Sequence, residues 1–538
     1  KPDHVEAHNN LGNTLRNLNQ LDASIKSFEK ALAIKPDYAE VHNNLGNALK
    51  DLGQLDASIK SFEKALAIKP DYAEAYNSLG NALNDLGQLD AAVKSYEQAL
   101  AINPNFAEAH NNLGVTLQEL GQLDAALANY ERALVLKHDI NFLLGQSLIT
   151  KMHLCIWDNL PNDLNELTKK INNNEKVIEP FSMLALTDDP EIQRKTAEIF
   201  ANEKYPKNHD LPEIGHYPKH KKIRIGYFSA DFFYHPVSFL TAGLYEMHDR
   251  AQFEIHAFSF GPDTKDKMNL RIKAGVDHFH EVRTMSHKDI AMLARSLEID
   301  IAVDLGGYTV NCRTEIFALS AAPIQISYIW ACSTMGADYY DYLLVGQGMI
   351  PKNNQKYFTE KIAYLPSYQV NDSTQSQPTT IFTRQDLELP EEGFVFCCFN
   401  NTFKITPSTF DSWGRILEKV NGSVLLIYAN NDTVQKNLIK EITARGIDPS
   451  RLILGKRLSK SEYLARYRVA DLFLDTRPFN AGTTASDALR MGLPVLTCIG
   501  NSFISREAAS IIGALNLPEL ITTTTEEYES LAIELATN

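Results

Sequence analysis

Residues 475–494, D-T-R-P-F-N-A-G-T-T-A-S-D-A-L-R-M-G-L-P, decide how the rest of the chain is read. They follow the mainly apolar run 470–474 (A-D-L-F-L), which reads as a buried parallel strand, and they open a helical pattern near Gly482. Strand, small-residue loop and helix together make a place for an anion. The first turn of a helix has N–H groups without intrahelical partners, and the helix dipole favours negative charge there. Thr483 and Thr484 add hydroxyl donors, and Asp487, three residues after Thr484, offers a carboxylate to ribose hydroxyls. The same pattern fits a plain capped helix in an α/β domain, so the decision rests on the remaining sequence.

At 538 residues the chain is too long for one hydrophobic core, and several domains are expected. Its 52 basic and 67 acidic residues leave a net charge of −15, which argues against nucleic acid or an anionic membrane as the main partner. Any phosphate site is therefore a local arrangement. The six cysteines, with Cys397 and Cys398 adjacent in an apolar run, fit neither a secreted disulfide framework nor a zinc spacing, and imply a reducing cytoplasm. No stretch reaches the roughly 20 apolar residues of a membrane span. No signal peptide is visible, and both ends lie inside continuing patterns, as the ends of a fragment would.

The N-terminal part is periodic. Pro2, Pro36, Pro70 and Pro104 recur every 34 residues, as do the Leu-Gly pairs beginning at Leu11, Leu45, Leu79 and Leu113. With Ala23, Phe28 and Ala31 in the second helix of the first unit, this period resembles the tetratricopeptide repeat. Each unit is then a helical hairpin that buries its apolar face only against its neighbours, giving a solenoid over residues 1–137. By this resemblance the first helix of each unit lines a concave face. Asn10 and Asn13, then Asn44 and Asn47, then Ser78 and Asn81, then Asn112 and Val115 fall on it three residues apart. Such an amide ladder suits the backbone of an extended acceptor peptide; the alternative is asparagine that merely solvates a helix face. Residues 138–219 lose the period but keep amphipathic helical patterns, and read as a helical connector.

From Lys222 the texture changes. K-I-R-I-G-Y-F-S, F-E-I-H-A-F-S-F and D-I-A-V-D-L read as three successive strands with helical patterns between, which means a doubly wound parallel sheet over residues 220–380. His235 lies just after the first strand and Asp304 at the end of the third, at the strand ends where such sheets bind ligands. Residues 366–390 read as an interdomain linker, and residues 381–538 repeat the alternation. There F-V-F-C-C-F, S-V-L-L-I-Y, R-L-I-L-G, D-L-F-L-D and P-V-L-T-C are the strands. Lys404 stands where its ammonium reaches a diphosphate. Two such halves suggest a GT-B glycosyltransferase using a nucleotide-diphosphate sugar. Neither G-x-x-x-x-G-K-[ST] nor G-x-G-x-x-G occurs, which argues against phosphate-loop ATPases and nicotinamide dehydrogenases, and no loop carries a metal-binding D-x-D.

Tetratricopeptide repeats followed by S-x-D-F-x-x-H-P-V-S, V-D-L-x-G-Y-T, S-A-A-P-I-Q, F-N-N-x-x-K-I-x-P and N-A-G-T-T-x-S-D-A-L resemble the bacterial branch of the O-linked N-acetylglucosamine transferases, glycosyltransferase family 41. The resemblance implies a UDP-N-acetylglucosamine donor, protein Ser or Thr acceptors held by the repeats, and an inverting transfer that needs neither cofactor nor metal. It implies that His235 is the active-site histidine, Lys404 the diphosphate lysine with Asn401 beside it, and Lys460 a lysine beside the uridine. Thr483, Thr484 and Asp487 become the phosphate and ribose contacts. The departures are local. Trp330, Ala331, Cys332, Ser333 and Thr334 replace a Gly-Tyr-Pro-Gly-Thr loop against the sugar, Tyr463 replaces a histidine near the ribose, and Glu507 replaces a valine close to the diphosphate. They keep two alternatives open: a related transferase with another UDP-hexose or an asparagine or glycan acceptor, and a repeat scaffold with little turnover.

Overall fold

The structure, a computed structural model, describes residues 4–329, 333–369, 372, 374, 375 and 377–538. The chain forms two compact units, Lys1–Thr150 and Lys151–Asn538.

The first unit is four helical hairpins: Val5–Asn17 with Leu21–Ile34, Ala39–Asp51 with Leu55–Ile68, Ala73–Asp85 with Leu89–Ile102, and Ala107–Glu119 with Leu123–Leu136. The Leu-Gly pairs now have a physical reason. A Cβ on Gly12, Gly46, Gly80 or Gly114 would come within 2.5–2.6 Å of the ring of Phe28, Phe62, Tyr96 or Tyr130 in the second helix of the same hairpin. Glycine lets the two helices close over a buried ring. Between the helices the chain turns through a left-handed residue, Asn19 in the first repeat and Gly53, Gly87 and Gly121 in the others, because only that conformation reverses the chain so tightly.

The second unit holds two parallel sheets. In the first, β1 (Ile223–Ser229), β2 (Phe253–Ser259), β3 (His278–Glu281), β4 (Ile301–Asp304), β5 (Ile324–Ser327), β6 (Tyr342–Gly346) and β7 (Lys361–Leu365) are ordered β3-β2-β1-β4-β5-β6-β7. The second has β8 (Val395–Cys398), β9 (Val424–Tyr428), β10 (Leu452–Gly455), β11 (Leu472–Leu474), β12 (Val495–Cys498) and β13 (Ile521–Thr522), ordered β10-β9-β8-β11-β12-β13. The expected doubly wound α/β halves are both present. D-I-A-V-D-L is the fourth strand rather than the third, because the polar strand H-F-H-E lies before it at the sheet edge. In each sheet the winding reverses between two central strands, β1 and β4 or β8 and β11, and the loops leaving their carboxyl ends form the crevice.

The connector helices Leu160–Asn172, Pro180–Met183 and Pro190–Lys204 pack on the second unit. Trp157 meets Phe410 edge-on at 5.6 Å, the Thr402 hydroxyl donates to the His153 carbonyl, and Asp188 accepts from the backbone N–H groups of Asn501 and Ser502. The linker is likewise built in: Tyr368, Gln369 and Asp372 are buried. Among the described residues no helix is long and apolar enough to cross a membrane.

Candidate active site

Asp475, the first residue after β11, organises the loop that follows. Its carboxylate accepts from the N–H groups of Thr476 (2.8 Å) and Ala481 (2.7 Å) and from the Thr497 hydroxyl (2.7 Å). Burial lifts this carboxyl to about 6, against the pull of those hydrogen bonds and of Lys404. Residues 476–481 thus fold around one carboxylate and set Phe479 and Asn480 against the loop leaving β8. On that loop the short turn Thr402–Lys404 carries the lysine. Its ammonium lies 3.8 Å from the centre of the Phe479 ring and donates to the Asn480 carbonyl at 3.2 Å. Asn400 ties the two loops together, donating to Thr476 at 2.7 Å and accepting from the Thr484 hydroxyl.

The helix Thr483–Arg490 has Gly482 at its N-cap and no side-chain cap. Its opening residues line a cleft of about 610 Å³ between the two halves, together with Asn401, Lys404, Lys460 and Asp487. Pro236, Leu240 and Ile329 close the cleft from the first half. Six of the residues expected to contact the donor therefore converge, from loops after β8 and β11 and from the helix that starts at Lys460. Asp487 is buried and its carboxylate accepts from the Lys460 ammonium at 2.8 Å, so the two act as a pair. Burial raises the Asp487 carboxyl and Lys460 opposes the rise. Tyr463 bonds to Tyr467 at 2.6 Å, and Tyr467 donates to the Thr484 carbonyl, bracing the helix from behind.

Glu507 is the unusual member. Buried in the cleft wall, its carboxylate oxygen would lie 2.3 Å from a Cβ on Gly482, so glycine is required there by closeness. Gln369 donates to it at 3.0 Å. Burial pushes the Glu507 carboxyl up to about 7, with Lys404 and Gln369 pulling down and Asp475 adding to the rise. A carboxyl group thus stands beside the uncapped helix N-terminus, where a diphosphate is expected.

His235 caps the helix Pro236–Met247, and its Nδ1 accepts from the Val237 N–H at 3.3 Å. Asp231 lies 3.6 Å from the same nitrogen. Burial lowers the imidazole pKa and Asp231 opposes the fall; with Nδ1 accepting from Val237, the proton of the neutral ring is on Nε2. Its neighbour Pro236 lines the cleft, whereas His235 is not among the lining residues. Thr334 is not brought to the cleft: it is 1% exposed and its hydroxyl donates to the buried Glu360 carboxylate at 2.6 Å. Trp330, Ala331 and Cys332, expected against the sugar, lie outside the described residues. Asp304 accepts from the Gly306 and Gly307 N–H groups and the Tyr340 hydroxyl, which fixes the turn after β4, and Asp289 is engaged with the cap residue Ser286 on the surface.

Sequence reasoning missed Phe479, Phe181 and Gln369. Phe181 meets Phe479 at 5.8 Å and backs the lysine platform from the connector. Gln369 accepts from Ser486 while donating to Glu507, which joins the linker to the helix. Nothing local marks either residue; only Phe479, inside the deciding stretch, carried a signal.

In the repeat unit the amide ladder is partly internal. Asn44 donates to Asn9 and Asn112 to Asn77, both at 3.0 Å, and Asn81 accepts from the Tyr96 hydroxyl at 2.7 Å. Asn10 is exposed, with Asn13 and Asn47 half-buried. First helices of successive repeats are thus neighbours, stitched by asparagine pairs.

Two doubly wound sheets, each with its switch point on one shared cleft, define the GT-B class of architecture. The sequence model of glycosyl transferase family 41 matches residues 198–379 and 369–538, and tetratricopeptide models match residues 12–53, 46–84, 80–121 and 107–140. The chain belongs to glycosyl transferase family 41, with N-terminal tetratricopeptide repeats. It is 32% identical over 416 residues to the probable UDP-N-acetylglucosamine–peptide N-acetylglucosaminyltransferase SEC of Arabidopsis thaliana, covering 73% of this chain and 42% of the relative. It is 27% identical over 432 residues to the UDP-N-acetylglucosamine–peptide N-acetylglucosaminyltransferase of Caenorhabditis elegans, covering 59% and 37%. The chain thus spans less than half the length of these relatives. A solved lysine-to-methionine mutant of the Thermobaculum terrenum O-GlcNAc transferase superposes with a TM-score of 0.67 at 26% identity, covering 93% of this chain and 90% of that one.

Proposed function

We propose that the protein transfers a sugar, N-acetylglucosamine by default, from a UDP-sugar to Ser or Thr hydroxyls of protein acceptors engaged by the repeats. The observation that carries this reading is the convergence of Lys404, Asn401, Thr483, Thr484, Lys460 and Asp487 on one cleft at the switch point of the second sheet. Its volume of about 610 Å³ suits a nucleotide sugar. The names of the relatives support the donor and the peptide acceptor. In the transfer, the acceptor hydroxyl oxygen forms a bond to the anomeric carbon as the bond to the diphosphate breaks, the electron pair leaving with UDP and the hydroxyl proton passing to water or to a departing phosphate oxygen. Lys404 and the first-turn N–H groups after Gly482 meet that growing charge, so the reading assigns it to protein groups and takes the transfer as inverting and metal-independent, in line with the family resemblance. His235 serves as an orienting donor through Nε2–H. A reducing, cytoplasmic setting belongs to the same reading, supported by the buried thiols Cys397 and Cys398 in β8.

A second reading, a repeat scaffold of low turnover, is favoured by Glu507, whose carboxyl stands in the anion position. Binding and turnover of a panel of UDP-sugars, with UDP as reference and Lys404→Ala as control, separate the two. One sugar nucleotide consumed by the parent and not by the variant supports the transferase, whereas a folded protein that does not bind UDP overturns it.

A further inference from the structure

A group of imidazoles lies at the edge of the first sheet, on β2 and β3. Glu254 and His256 sit two apart on β2, and His278 and His280 two apart on the edge strand β3, with His256 paired to His278 across the ladder. Because side chains alternate along a strand, all four share one face of the sheet. Glu254 and His278 lie near the starts of their strands and His256 at the middle of β2, whereas the cleft is built at strand ends.

The Glu254 Oε1 atom is 3.0 Å from His278 Nε2 and 3.3 Å from His256 Nε2, and the three ligand atoms lie within 4.8 Å of one another. Donor atoms held about 2.0–2.1 Å from a tetrahedral zinc ion stand about 3.3 Å apart, so little movement is needed to admit one. His256 decides the matter. It is 3% exposed and its buried Nε2 has no hydrogen-bond partner by strict geometry, with Glu254 Oε1 3.3 Å away. On the other side of the ring, Nδ1 is 3.1 Å from His280 Nε2. If Nδ1–H donates to His280, His256 turns an unshared Nε2 lone pair toward a carboxylate oxygen, an arrangement that repels unless a cation lies between. A metal-binding histidine is commonly oriented by such a bond from its other nitrogen. His278 is half-exposed, which leaves a way in from solvent.

We propose that Glu254, His256 and His278 bind a divalent cation of the zinc type, oriented by His280, which pins edge strand β3 to β2 away from the transfer cleft. Two imidazoles and one carboxylate suit zinc over magnesium or calcium, which prefer all-oxygen shells. Arg224, 3.6 Å from the other Glu254 oxygen, holds the carboxylate in place.

The test is calorimetric titration of the chelator-treated full chain with Zn²⁺, repeated with His278→Ala and Glu254→Gln, and with His287→Ala as a histidine outside the group. Cobalt substitution gives a visible spectrum as a second readout. The expected result is one tight site in the parent and in His287→Ala, weakened about ten- to hundredfold in the two ligand variants, with the cobalt bands lost alongside. Both ligand positions are partly exposed and each variant is read independently, so misfolding of one leaves the other decisive. A parent without a tight site, or ligand variants that bind as the parent does, would overturn the proposal.

Discussion

Lys404 has two kinds of neighbour, and they predict what its loss does. Its ammonium rests on Phe479 and on the Asn480 carbonyl, and it lowers the carboxyls of Asp475 and Glu507. Removing it takes away the cation a diphosphate would meet and leaves two buried carboxyls without their positive neighbour. Lys404→Ala is therefore expected to weaken UDP by about 1.5–3 kcal/mol, the range of a hydrogen bond to a charged group, measured by calorimetry. Glu507 gives a pH dependence of definite sign. Its carboxyl titrates near 7 in the folded protein, so it is largely neutral at pH 6 and negative at pH 8, facing Lys404, Asp475 and Gln369. UDP affinity is expected to fall as pH rises through 7. Glu507→Gln should remove most of that fall and raise affinity at pH 8, and an unchanged slope in the variant would show that Glu507 is not its source.

At the scale of elements, the four repeats contain their own comparison. In the third, a Cβ on Gly80 would stand 2.5 Å from the Tyr96 ring, whose hydroxyl is tied to Asn81. In the second, Phe62 presses on Gly46 with no such tether. Overpacking costs about 1–3 kcal/mol, against a gain of about 1 kcal/mol from alanine in a helix. Gly80→Ala should therefore destabilise the unit more than Gly46→Ala, by urea melts followed at the helical signal. The same scale explains what could be read from sequence. Strands β1, β2, β4, β8, β9, β11 and β12 are buried on both faces, so they appear as apolar runs. The edge strand β3 is H-F-H-E and β13 has two residues, so neither has a period to detect, and β6 is hidden beside a tyrosine-rich turn. The anion loop was legible because strand, small residues and helix are contiguous. Gln369 and Phe181 were not, since they reach the cleft from the linker and the connector by tertiary packing alone. Glu507 was legible as an oddity of sequence; its seat against Gly482 needed the fold.

For the whole molecule, the two compact units divide the labour in the proposed reaction: the second holds every donor contact, and the first offers amides to a peptide. The ladder residues are not equivalent. Asn44, Asn81 and Asn112 also hold the array together, so their replacement would mix stability with recognition. Asn10 is exposed, and in the repeats of Asn13 and Asn47 the ring at the tyrosine position is Phe28 or Phe62, with no hydroxyl to give. These three amides are the ones to change together in the full chain. With each peptide hydrogen bond worth about 0.5–1.5 kcal/mol, the triple alanine variant should raise KM for a protein acceptor about tenfold or more, while hydrolysis of the UDP-sugar in the absence of acceptor stays unchanged. A parallel loss of both would mean that the repeats support the fold of the catalytic unit. An unchanged KM would mean that Asn10, Asn13 and Asn47 do not hold the acceptor.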